Sequence, residues 1–354
     1  MIELSPFIKK LISLPGLSGY EDPVRDVIAE TWKPLVDEMS ISKLGSLHGL
    51  RRAATPGTHP SILLATHMDA VGMLVTSVED GWIRVMQIGG LDMRILPGQL
   101  VKVHGQRDLP GILQMIPDRL QKKSRAGSPP EITDLFIDVG LGAREVKRLV
   151  KLGDLVSFAQ TPIEITGEVI AGHSLDNRAS VAALTICLDE LRKVELDWDL
   201  WAVATVQEET GLLGAKTSSF ELYPDIAVAI DVTFAKGPGS NDHRSFPMGK
   251  GPTIGIGANI HPALVEKFKA TAEEMDLPYA IETMPRSSGT DGMGMQGTAE
   301  GIPVMVIGIP LRYMHTPLEM VALKDIQRAG RLLARFIMKL ESDSMEKIFA
   351  ESRA

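Results

Sequence analysis

The chain has 354 residues, 44% hydrophobic and 23% charged, an ordinary globular composition that excludes a disordered or fibrous chain and predicts about two domains at ~150 residues each. Lys and Arg total 37 against 45 Asp and Glu, a formal charge of −8, which argues against a surface that binds phosphate backbones. The single cysteine, Cys187, excludes an internal disulfide and a cysteine-rich zinc site and fits a reducing compartment.

Ser5-Pro6 reads as a helix N-cap with Pro in the first turn. Residues 1–40 read as helical, with breaks at Pro15-Gly16 and near Pro23. This start lacks the basic residues and long apolar core of a signal peptide, and no apolar run reaches the ~18 residues of a membrane span, so a cytoplasmic protein with no membrane partner is expected. Ser61–Ala65 is a short, nearly continuous apolar run, as for a strand covered on both faces. Between 70 and 165 short β-like runs follow closely: Gly72–Val78, Trp82–Ile88, Leu100–His104, Gly111–Ile116, Asp134–Val139 and Asp154–Phe158. That spacing predicts a small antiparallel barrel or sandwich. The stretch Pro117–Glu131 reads as a polar loop, with Lys122, Lys123 and Arg125 on a solvated face. From 176 the α/β texture returns. Asn177–Val194 carries a helical stripe of Val181, Leu184, Leu188 and Leu191, and Cys187 falls within it as a core thiol. Leu200–Val206, Ile226–Ile230 and Ile302–Ile307 read as strands. Lys324–Leu340 reads as an amphipathic helix with Ile326, Leu333, Phe336, Ile337 and Leu340 inward. One α/β domain, 1–69 with 166–354, is thus interrupted by a β-rich insertion, 70–165.

Four apolar runs lead into metal-type ligands: His67 with Asp69, Glu208 with Glu209, Asp231, and His315. Asp176 joins them at the start of the long helix. Ligands of open α/β sheets bind beyond the carboxyl ends of the strands, so two His and several carboxylates converge at one edge. Each signal alone has a bland reading, an N-cap for Asp176 or a solvated pair for Glu208-Glu209; their joint placement is what points to a metal site. Two divalent ions bring four positive charges. Asp176, Glu209 and Asp231 oppose three, and a hydroxide the fourth. His67 and His315 add neutral nitrogens, a mixed set that suits Zn²⁺, Co²⁺ or Mn²⁺. Asp69 is placed to hold the other ring nitrogen of His67. Adjacent residues at a strand end point in different directions, so Glu209 is assigned as ligand and Glu208 as general base.

These residues lie in stretches that resemble the M42 family of metallo-aminopeptidases, a family that includes glutamyl aminopeptidases and proteins once labelled endoglucanases. The stretches are Leu17-Ser18-Gly19-Tyr20-Glu21, Ala65–Asp69, Leu175–Arg178, Gln207–Gly211, Asp231–Thr233, Gly289-Thr290-Asp291 and Arg312–Pro317. The resemblance implies a mixed-sheet two-metal peptidase domain with a β-barrel-like insertion used in dimerisation. It implies that Asp176 bridges two ions, that His67 and Asp231 complete one site and Glu209 and His315 the other, and that Glu208 is the base. It implies short peptides as substrate and a dimer-based homo-oligomer, often a dodecamer. The chain departs from the family pattern at Phe234–Gly239 and at Met115–Leu120.

An aminopeptidase is therefore expected. A glycoside hydrolase would need two carboxylates and no metal, and leaves His67 and His315 without a purpose. Carboxypeptidase or metal-dependent deacylase specificity is the rival within the two-metal class, and Glu208 argues against a silent scaffold. Arg286 can receive an acidic substrate side chain or simply lie at the surface.

Overall fold

The computed structural model describes residues 2–117, 120, 129–240 and 242–351; Lys122, Lys123 and Arg125 of the polar stretch lie outside them. The strands in chain order are β1 (Glu38–Ile41), β2 (Leu47–Arg51), β3 (Ser61–His67), β4 (Gly72–Glu79), β5 (Trp82–Ile88), β6 (Leu100–His104), β7 (Asp108–Met115), β8 (Leu135–Asp138) and β9 (Leu155–Phe158). After these come β10 (Ile163–Ile165), β11 (Val169–Gly172), β12 (Asp199–Thr205), β13 (Ile226–Phe234), β14 (Thr253–Gly257), β15 (Ala280–Met284), β16 (Val304–Arg312) and β17 (Glu319–Ala322).

Continuous apolar runs must be covered on both faces. Four such runs, β12, β3, β13 and β16, form the parallel centre of a mixed sheet. Antiparallel strands extend it on both sides, β2 and β1 beyond β12, and β17, β11 and β10 beyond β16. The β14–β15 pair branches from β16. Helices Leu175–Leu191 and Leu323–Ile337 pack against the sheet and each other. Gly330 permits their close approach, because a Cβ there would lie 2.5 Å from the Ala183 carbonyl oxygen. The first helix is buried nearly all round, including Cys187, whose thiol burial pushes well above its ordinary value.

Strands β4 to β9 leave this sheet and close a barrel in the order β4-β5-β8-β7-β6-β9. Its interior holds Met73, Val75, Ile83, Val101, Leu113, Ile137 and Val156. Alternation does this directly: β7 turns Leu109, Gly111 and Leu113 inward and their neighbours outward.

Three expectations are corrected. Residues 38–40, read as helix, belong to β1. β13 runs on to Phe234 and β16 to Arg312, because their parallel ladder holds register from Ala227↔Val304 to Phe234↔Leu311; backbone pairing extends the strands past the apolar runs. Asp231 therefore lies within its strand rather than beyond it.

Candidate metal centre

The carboxyl ends of the parallel strands collect the ligand-type residues. His67 ends β3, the Glu208-Glu209 pair follows β12, and Asp231 lies near the end of β13. His315 stands three residues past β16, and Asp176 opens the helix after β11. All five expected ligands meet, with Glu208, on two sides of Asp176. Asp176 Oδ1 lies 3.2 Å from His67 Nε2, and Asp176 Oδ2 lies 3.4 Å from His315 Nε2. His67 Nε2 is also 3.7 Å from Asp231 Oδ1 and 3.8 Å from Glu208 Oε2. On the other side His315 Nε2 is 3.4 Å from Glu209 Oε2. One ligand atom each from His67, Glu208 and Asp231, and one each from Asp176, Glu209 and His315, lie within 4.8 Å of one another. The peptide between Asp176 and Asn177 is cis. Ser174, Gln207, Leu212, Tyr313 and His315 hold positive φ around the same rim. Left-handed backbone in such residues gathers where surrounding structure fixes a functional geometry.

Buried polar groups set these residues in place. Asp69 accepts the Glu208 and Glu209 amide N–H groups at 3.0 and 3.2 Å and the Ser18 hydroxyl at 2.6 Å. Its Oδ1 lies 3.4 Å from His67 Nδ1, so Asp69 fixes the ring with Nε2 turned towards Asp176. Glu21 accepts the Gly19 and Gln207 amides at 2.7 and 3.1 Å, so Leu17–Glu21 braces the Glu208-Glu209 loop from behind. Glu319 is the residue sequence reasoning missed. Fully buried, it accepts the Asp176 amide at 3.0 Å and the His315 amide at 3.1 Å. Asn177 ties the helix start to the Ile230 carbonyl at 2.9 Å. Asp291, quoted in a motif without a role, accepts the Thr205 hydroxyl at 2.5 Å.

Electrostatics set what charge the cluster favours. Burial pushes Glu208 up to about 9, and the charges of Asp231, Asp291 and Asp176 add to it. Burial and Asp176 push Glu209 up to about 10. Burial also raises Asp231, against hydrogen bonds with His67. His67 is held well above its ordinary value; burial opposes this, but Glu208 and Asp176 outweigh it. Carboxylates crowded until they resist ionisation are relieved by a cation. Glu209 Oε1 is buried with no hydrogen-bond partner. Nitrogen and oxygen donors without sulfur fit divalent Zn, Co or Mn, so the residues present fit a metal ion on each side of Asp176. The cavity above them measures about 500 Å³ and is lined in addition by Leu212, Phe234, Glu282 and Met314. Arg286 is exposed and does not line it.

An α/β sheet that gathers imidazoles and carboxylates over a cavity at its carboxyl edge defines a metal-dependent hydrolase. The M42 glutamyl aminopeptidase family model matches residues 49–332, and the chain belongs to that family; it is a hydrolase of the aminopeptidase class. It is 32% identical to the lysyl aminopeptidase of Pyrococcus furiosus over 340 residues, covering 94% of this chain and 96% of the relative. The fold superposes on the aminopeptidase APDkam598 from the archaeon Desulfurococcus kamchatkensis with a TM-score of 0.91 at 36% identity, covering 98% and 97% of the two chains. The TET1 peptidase of Pyrococcus horikoshii, which can assemble into a tetrahedron or a large octahedral shell, aligns with a TM-score of 0.83 at 29% identity over 96% of this chain and 100% of that one. Among the described residues no helix is long and apolar enough to cross a membrane.

Proposed function

We propose that the chain is a two-metal aminopeptidase that removes the first residue of short peptides bearing a free N-terminus. The observation that carries this is Asp176, which turns one oxygen to each imidazole at 3.2 and 3.4 Å. His67, Asp176 and Asp231 would hold one ion; Asp176, Glu209 and His315 would hold the other. Two divalent ions held there would supply Lewis-acid chemistry, polarising the scissile carbonyl and lowering the pKa of water. Glu208 sits beside His67 within the cavity, its backbone fixed by Asp69. It takes the proton of the attacking water and delivers it to the departing amine. Asp69 holds the tautomer of His67 and the direction of both glutamates.

The peptidase domain is assigned to 1–69 and 166–354. The barrel, within 70–165, is assigned to dimerisation in a dimer-based assembly such as a dodecamer, a reading supported by the dodecamer of the structural relative PhTET1. The lone cysteine supports a cytoplasmic setting.

The test is hydrolysis of aminoacyl chromogenic amides by metal-stripped protein, then after adding Zn²⁺, Co²⁺ or Mn²⁺. Restored cleavage of unblocked substrates, with N-acylated ones resistant, is expected. Cleavage that survives stripping or requires an acylated N-terminus overturns the reading.

A further inference from the structure

Glu282 is a carboxylate of the cavity that the proposed chemistry leaves unused. It belongs to neither ligand group. It projects from β15, half-buried, and each of its oxygens accepts one hydroxyl: Oε1 from Thr233 at 2.7 Å and Oε2 from Thr253 at 2.6 Å. Burial and the Asp231 charge push Glu282 above the ordinary carboxylate value, the two hydroxyls oppose that shift, and each oxygen keeps acceptor capacity for a cation. No Lys or Arg lines the cavity among the described residues. Gly308 makes the room: a Cβ there would lie 2.9 Å from Glu282 Oε2.

Placement fixes what this carboxylate can reach. Asp231 and Thr253 both pair with Gly308, one on each side. The carboxylate over Gly308 therefore stands about one strand spacing, roughly 5 Å, from the strand of Asp231. The α-ammonium of a substrate is one bond from its Cα and stays beside the reacting carbonyl, among the ligand groups. The side-chain ammonium of lysine stands about 6 Å from Cα on a flexible four-carbon stem. Leu212, Val232 and Phe234 of the same cavity offer apolar surface to such a stem.

We propose that Glu282 receives the positively charged side chain of the substrate's N-terminal residue, so that the enzyme selects lysine and arginine at that position. The inference rests on the aminopeptidase reading above and adds its substrate class. An acidic N-terminal residue would meet like charge there, and a leucine would leave the carboxylate without its counter-ion.

The test measures kcat/KM of metal-loaded wild type, Glu282→Gln and Glu282→Asp on unblocked Lys, Arg, Leu and Glu p-nitroanilides. In wild type the order is Lys and Arg above Leu, and Leu above Glu. In Glu282→Gln the Lys-to-Leu ratio drops roughly 10- to 100-fold, mainly through KM, while Glu282→Asp keeps part of the preference. A ratio unchanged by Glu282→Gln, with Leu cleaved, overturns the assignment and leaves the aminopeptidase reading standing. Failure to cleave any unblocked amide with any of the three metals overturns both. A second measurement needs only wild type: inhibition of Leu-amide cleavage by lysinamide against norleucinamide. Lysinamide is expected to inhibit at roughly tenfold lower concentration, and equal or weaker inhibition overturns the proposal whatever the variants do.

Discussion

The barrel and the carboxyl edge of the large sheet sit side by side and are built on opposite terms. The barrel interior is apolar, and among the described residues between 72 and 158 the one buried polar side chain is Ser157. The sheet edge buries His67, Asp69, Asp176, Glu208, Asp231, Asp291 and Glu319 within one small volume. Burying apolar groups stabilises a fold, whereas burying a charge is costly unless something compensates it. The barrel thus contributes stability, and the edge gives up stability to keep carboxylates crowded where a cation would relieve them. Substitutions in the two regions should therefore leave opposite signatures.

Glu208→Gln tests the edge and has the largest expected effect. The amide cannot take up the proton, so kcat should fall about 10²- to 10⁴-fold. Replacing a buried carboxylate that already resists ionisation leaves the thermal midpoint of the metal-free protein no lower. Steady-state kinetics, metal content and a thermal melt on one preparation measure this; undiminished turnover removes Glu208 as base. Leu113→Ala tests the barrel. Leu113 is fully buried in the barrel interior, and its truncation should cost about 2–5 kcal/mol in denaturant unfolding. Activity per folded molecule should hold. A loss of metal affinity instead would mean that the two regions are not independent.

A third prediction follows from the sign of the shifts at the edge. In the metal-free protein Glu208 and Glu209 titrate near 9 and 10, above their ordinary value of 4.5. A group raised on folding contributes stability that is full below its unfolded pKa and lost as pH rises through the folded one. Between pH 7 and 9 the unfolded chain has already released these protons and the folded chain has not. Metal-free stability should therefore fall, by at most roughly 1.4 kcal/mol per pH unit for each group. Buried His173, lowered to about 4 by burial and by Arg178, does not titrate in this window. Metal-loaded protein holds both glutamates ionised, so the gap between the two melting temperatures should widen from pH 7 to 9. A constant gap contradicts the crowding of these carboxylates.

The sequence announces the centre of the sheet and hides its margins. Strands β3, β12, β13 and β16 are covered on both faces, so they appear as apolar runs, and the residues after them could be read as ligands. Strands β1, β10 and β15 are largely exposed and carry no such pattern; backbone pairing makes them strands, β1 and β10 with the strand that follows each and β15 with β14, 27 residues back. The same limit applies within the site. His67, Asp176, Glu209, Asp231 and His315 advertise themselves by residue type at strand and helix ends. Glu319 acts on backbone amides 143 and four residues away, a relation that no local spacing encodes. Its one sequence signal is a carboxylate in the first turn of chain after His315-Thr316-Pro317.

The smallest expected effect lies where the two regions touch. The chain leaving β5 of the barrel passes Gly89 and Gly90 directly beside two of the proposed ligands, Glu209 and His315. A Cβ on Gly90 would lie 3.0 Å from His315 Nδ1, and one on Gly89 would lie 3.3 Å from Glu209 Cβ. Gly89 also holds φ +74, which only glycine adopts freely, so Gly90 is the cleaner position to probe. In Gly90→Ala the imidazole of His315 must give by a few tenths of an ångström. His315 is partly exposed and follows a strained backbone, so it can move without unfolding anything around it. Misplacement by an ångström can cost about 100-fold in rate, so a shift of this size should lower kcat/KM on the order of tenfold. The melting temperature of the barrel should stay put. Zn²⁺ titration of the variant would show one of two equivalents weakened, the one that His315 holds with Glu209. If both weaken equally, the barrel acts on the whole edge through Asp176, and the division between a stabilising barrel and a separately strained edge gives way to one coupled unit.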